Sequence, residues 1–81
     1  MYVVISRSQC NFCDTAKALL SSQGLPYKEF KVDDPAHRWL LTLIRQAGYT
    51  TVPQIFSQAG SHIGGYTELK EYLNAGGKEK V

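Results

Sequence analysis

The chain has 81 residues, 43% hydrophobic and 20% charged, with a formal net charge of +2. That suffices for one small domain with a modest core and is too ordinary a composition for extended disorder. The basic residues are scattered, apart from Lys78 and Lys80 at the tail, which argues against a nucleic-acid surface. No apolar run approaches the roughly 20 residues that a membrane span requires.

The N-terminus shows no basic segment followed by an apolar one, so no signal peptide is expected and the cytoplasm is the expected compartment. Two close cysteines there are more often catalytic or metal-binding than a structural staple.

Tyr2 to Ser6 reads as a first strand. Val3, Val4 and Ile5 form a continuous apolar run of the kind buried on both faces. Arg7 to Gln9 is a polar loop. A helix starts near Cys10 or Asn11, with Phe12, Ala16, Leu19 and Leu20 on one face and Gly24 as its C-terminal cap. Asp14 in the first turn suits the helix dipole.

Tyr27 to Val32 is the second strand. Asp33-Asp34-Pro35 then signals a helix start, with an acidic cap and proline at the first helical position. This second helix is expected to run to about Ala47, with Ala36, Leu40, Leu43, Ile44 and Ala47 facing inward. Trp39 and Leu41 fall off that face. Trp39 either docks a partner or covers the edge of the core.

Tyr49 to Pro53 is an extended loop, because proline biases Val52 away from the helical region. Gln54 to Ser57 and Ser61 to Ile63 are the third and fourth strands, joined by a glycine-containing hairpin loop. After Gly64-Gly65 a last helix carries Leu69, Tyr72 and Leu73 inward, with Thr67 as a candidate cap. Asn74 to Gly77 stops it. Tyr2, Tyr27 and Tyr72 are expected in or around the core. His62 is expected to be structural.

The order is β-α-β-α-β-β-α in one domain, residues 1–81, with 77–81 a frayed, solvated tail. The first two strands should be parallel through a right-handed crossover, and the last two an antiparallel hairpin. A four-stranded mixed sheet flanked by three helices is the minimal thioredoxin-like α/β architecture.

Both cysteines, Cys10 and Cys13, stand three residues apart at the strand-to-helix junction. Such helix-start pairs lower a thiol pKa from about 8.5 to roughly 3.5–7.5, because unpaired N–H groups and the helix dipole favour the thiolate. Cys10, ahead of the helix, is the expected nucleophile. Cys13, inside the first turn, is the expected resolving thiol. Arg7 adds positive potential and Asp14 opposes it. The competing reading is half of a zinc site. Zinc wants four ligands, and His37 and His62 do not recur at a short ligand spacing.

Three segments are similar to those of glutaredoxins: Cys10-Asn11-Phe12-Cys13, Thr51-Val52-Pro53-Gln54-Ile55-Phe56 and His62-Ile63-Gly64-Gly65. The chain resembles that family from residue 2 to about 75, its small bacterial and T4-type phage members in particular. The resemblance implies a glutathione-dependent thiol-disulfide oxidoreductase with catalytic Cys10 and Cys13 and no permanently bound cofactor or metal. It implies a cis Pro53 beside the cysteines. It also implies a glutathione groove formed by Arg7, Phe12, Thr51, Val52, Pro53, Gly65, Tyr66 and Thr67.

The chain departs from the family pattern at three places. Asn11 replaces proline, Phe12 lacks a tyrosine hydroxyl, and Tyr66-Thr67 replaces the usual Cys-Asp. Thr67 is either a glutamyl contact or a plain helix cap, and Glu68 is a candidate substitute for the missing aspartate. Arg38 on the second helix is a candidate for the glycine carboxylate. Implied partners are glutathione and disulfide-containing proteins such as ribonucleotide reductase, with the protein a monomer. Two alternatives stand beside this: a donor recharged by thioredoxin reductase, and an iron–sulfur or zinc-binding module.

Overall fold

A computed structural model of the chain describes residues 1–49 and 51–75. The expected tail at 77–81 lies outside the described residues. The strands are β1 (Tyr2–Ser6), β2 (Tyr27–Lys31), β3 (Gln54–Phe56) and β4 (His62–Gly64), and the helices α1 (Asn11–Ser22), α2 (Arg38–Gln46) and α3 (Tyr66–Asn74). The sheet order is β2-β1-β3-β4. β1 runs parallel to β2 and antiparallel to β3, and β3 runs antiparallel to β4. This is the mixed, four-stranded thioredoxin-like sheet that the element order predicts.

The period of two along β1 divides the core. Tyr2 and Val4 face a cluster with Ala16, Leu20, Ile55 and Leu69, contributed by α1, β3 and α3. Ile5 faces the opposite side and joins Val32 and Ile44, with Val3, Leu40, Leu41, Tyr49 and Phe56 around them. Leu20, Ile55 and Leu69 are fully buried. Each contributes on the order of 1.5–3 kcal/mol of hydrophobic stabilisation. β1 is thus one of the two inner strands, and the loop leaving its C-terminal end leads to the cysteines.

The second helix departs from its expected course. Residues Pro35–His37 form a short 3-10 turn, capped by the Asp34 carboxylate accepting the Ala36 N–H at 2.9 Å, and α2 begins only at Arg38. The tighter turn, three residues rather than 3.6, changes the phase of the helix that follows. Within α2, Leu40, Leu41 and Ile44 face the core, while Leu43 and Trp39 are 51% and 58% exposed. The expected inward position of Leu43 and outward position of Leu41 are exchanged.

Candidate active site

Cys10 is the N-cap of α1. Its backbone is extended (φ −118°, ψ 106°), its carbonyl accepts the first helical bond from Asp14 N–H at 3.1 Å, and its sulfur accepts the Cys13 N–H at 3.2 Å. The two cysteines form a disulfide with Cα atoms 5.2 Å apart. Cys10 is 9% exposed and Cys13 1%. The outer sulfur is therefore the one placed among helix-start N–H groups, where a thiolate is stabilised.

The loop before Cys10 is held by the turn that follows β2. Both Asp33 carboxylate oxygens accept the Ser8 N–H, at 3.2 and 3.3 Å. Hydrogen bonding from Ser8 holds the Asp33 carboxyl below its ordinary range. Asp14 does not face the sulfurs unopposed, because its carboxylate lies 3.5 Å from Lys17 Nζ. Lys17 also meets Glu29 at 2.8 Å, and the buried Ser6 hydroxyl donates to the same Glu29 oxygen at 2.6 Å.

A groove of about 490 Å³ is lined by Arg7, from the loop that leads to Cys10, and by Val32, Asp33, Leu41, Ile44, Arg45, Tyr49, Thr51 and Val52. Arg7 and Arg45 against Asp33 leave its wall net positive. The Val52–Pro53 peptide is cis and Pro53 is buried. The turn before α3 approaches this loop closely, since a Cβ at Gly65 would sit 3.5 Å from the Pro53 carbonyl oxygen. Across the cysteine motif, the rings of Phe12 and Tyr66 lie 6.3 Å apart.

The structure thus brings Arg7, Thr51 and Val52 to one groove, sets Gly65 against Pro53 and Tyr66 near Phe12, and leaves Phe12, Pro53, Gly65, Tyr66 and Thr67 outside the groove lining. Thr67 is not the cap of α3. Gly65 is the N-cap, its carbonyl accepting from Leu69 N–H at 2.9 Å, and Thr67 is the second helical residue. The Glu68 carboxylate reaches back to the Gly65 N–H at 2.8 Å, half of a capping box. Arg38 does not line the groove, and Arg45 does. Arg45 belongs to no motif. Its one available signal was the four-residue spacing from Leu41, which puts the two on one helical face.

The sheet order and a dithiol capping a helix define a thioredoxin-like thiol-disulfide protein. The glutaredoxin family model matches residues 2–63. The chain is 40% identical over 78 residues to glutaredoxin 3 of Escherichia coli, covering 96% of this chain and 92% of that one. It is 38% identical over 75 residues to the glutaredoxin of Enterobacteria phage T4, covering 80% and 85% respectively. A crystal structure of a buckwheat glutaredoxin–glutathione complex aligns with a TM-score of 0.79 at 30% identity, over 93% of this chain and 69% of that one. The chain belongs to the glutaredoxin family, glutathione-dependent thiol-disulfide oxidoreductases, and carries its redox pair at Cys10 and Cys13.

Proposed function

We propose that Cys10 is the nucleophile and that the groove beside it seats glutathione. The Cys10 thiolate attacks the glutathionyl sulfur of a mixed disulfide. That S–S bond breaks, the released thiolate takes up a proton, and Cys10 carries the glutathionyl group. A second glutathione thiolate attacks that group, freeing Cys10 and leaving as glutathione disulfide. With a protein disulfide, Cys10 forms the mixed disulfide and the Cys13 thiolate then displaces the reduced client. Two glutathione molecules in succession reopen the resulting Cys10–Cys13 bond and are themselves oxidised.

The observation that carries the reading is the convergence of Arg7, three residues before Cys10, with Thr51 and Val52, distant in sequence, on one groove. Its positive wall suits a peptide with two carboxylates. Val52 offers main-chain groups for strand-like pairing with the substrate cysteine. Phe12 and Tyr66 close the other side. The main-chain N–H groups of Tyr66 and Thr67, at the start of α3, face the γ-glutamyl carboxylate. Glu68 already serves Gly65, so the glutamyl amine takes only what its carboxylate has left. Protein clients are disulfide-bearing enzymes such as ribonucleotide reductase, met by a monomer in the reducing cytoplasm.

The test is a coupled assay with glutathione, NADPH and glutathione reductase on a glutathionylated peptide. Wild type and Cys13→Ser turn over, and Cys10→Ser does not. A wild type inactive there but reduced efficiently by thioredoxin reductase would falsify the reading.

A further inference from the structure

Gln54 is a polar residue where the fold asks for an apolar one. It opens β3 opposite Ile5, whose side chain belongs to the apolar cluster beneath α2, and Gln54 is 5% exposed. Burying an amide there is unfavourable unless its groups are paired. They are paired, the nitrogen with the loop at Thr51 and the oxygen with His62 at the start of β4. Nε2 donates to the Thr51 carbonyl at 2.8 Å and approaches the Thr51 hydroxyl at 3.3 Å. Oε1 lies 2.7 Å from His62 Nε2. Because the amide nitrogen faces acceptors, its oxygen is the acceptor left for His62, which therefore carries its proton on Nε2.

His62 passes the restraint on. Its ring stacks on Tyr49 with centroids 4.1 Å apart and planes 23° from parallel, and it also leans on Phe56 at 5.1 Å. Tyr49 and Thr51 both line the groove. One buried amide therefore holds the loop at Thr51 directly and at Tyr49 through an imidazole.

We propose that Gln54, with His62 as its relay, is a positioning residue for glutathione recognition. It holds the Tyr49 and Thr51 walls of the groove in the geometry that binds the tripeptide, without touching the reacting sulfurs. This rests on the glutathione reading above. Neither residue serves the cysteines, so losing the clamp raises KM for a glutathionylated substrate and leaves kcat nearly unchanged. An amide needed only for folding would lower thermal stability and leave KM alone.

The experiment uses the full chain and a glutathionylated peptide, with thermal unfolding measured in parallel. Gln54→Met fills the same volume without polar atoms. It is expected to raise KM about three- to tenfold, the range of one or two lost hydrogen bonds, with kcat within about twofold and melting within a few degrees of wild type. His62→Phe keeps a ring against Tyr49 and removes the donor. It is expected to raise KM about twofold, and to add nothing in the Gln54→Met background, because the relay is already cut. An unchanged KM in Gln54→Met, or the two effects adding independently, overturns the proposal. Should Gln54→Met not fold, an unchanged KM in His62→Phe does so. A wild type that does not use glutathione at all removes the functional reading instead.

Discussion

The backbone N–H of Cys13 donates to the sulfur of Cys10 at 3.2 Å, so Cys10 caps α1 with its own sulfur. In the reduced protein the same N–H is available to a Cys10 thiolate. The two thiols are then unequal twice over, in exposure and in the stabilisation of their charged form.

That inequality is measurable. Iodoacetamide added to the freshly reduced protein at neutral pH should alkylate Cys10 at least about tenfold faster than Cys13, since the thiolate is the reacting species. Mass spectrometry of quenched time points reads the ratio. Equal labelling of both cysteines would remove Cys10 from the nucleophile's role.

The groove wall gives a second expectation. Arg7 and Arg45 line it and Arg38 does not. Arg7→Ala and Arg45→Ala should each raise KM for a glutathionylated peptide about three- to tenfold, the weight of a charge-assisted contact to a carboxylate. Arg38→Ala should stay near wild type. Added salt should narrow these differences. An Arg38→Ala effect larger than that of Arg45→Ala would contradict the position of the groove.

How far this was legible in the sequence can be judged residue by residue. The apolar run at Val3 to Ile5, the Gly24 and Asp34 caps and the Cys10–Cys13 spacing are local signals, and the elements they predict are present. The face of α2 differs from the expected one because Leu40 and Ile44 share a helical stripe with Leu41 as well as with Leu43, and only the packing against β1 and β3 chooses between them. Thr67 was a reasonable cap by residue type, but glycine with Glu68 three residues on took that role. Gln54 lay inside a family-like segment but gave no signal of its own contacts. A polar residue at a strand start is ordinary, and its three contacts come from Thr51 and His62 only once β4 has folded beside it.

The Lys17–Glu29 pair beneath α1 predicts a pH dependence. Its hydrogen bond to Glu29 holds Lys17 above its ordinary value despite burial. Burial pushes the Glu29 carboxyl up, but hydrogen bonds from Lys17 and Ser6 and the charges of Lys17 and Lys31 outweigh it and set it below its ordinary value. A depressed carboxylate stabilises the fold above its unfolded pKa, about 4.3, and loses that as pH falls through the lower folded value. A raised lysine stabilises fully below about 10.4 and loses it as pH rises through the higher folded value. Glu29→Gln should cost about 1 kcal/mol across the neutral range, or about 4–8 °C in Tm for a domain of this size. The difference between wild type and variant should shrink below about pH 4. A gap that persists undiminished at pH 3 would mean that packing, and not the charge pair, accounts for it.

Gly64 offers the sharpest test of the turn that leads into α3. Its φ is +127°, a conformation L-residues rarely adopt, and a Cβ there would lie 2.8 Å from Glu68 Cγ and 2.9 Å from Glu68 Cβ. Gly64→Ala therefore meets two separate penalties, one in its own backbone and one against the residue that caps Gly65. The variant should lose about 1–3 kcal/mol in chemical denaturation. Glu68→Ala alone removes the cap and should cost about 1 kcal/mol. The double variant relieves the contact with Cγ but keeps the contact with Cβ and the backbone penalty. It should be less destabilised than the two single losses summed, yet remain below Glu68→Ala. Strict additivity would show that Glu68 Cγ simply rotates away from the new methyl group, leaving the left-handed backbone and the contact with Glu68 Cβ as the reasons for glycine at this position.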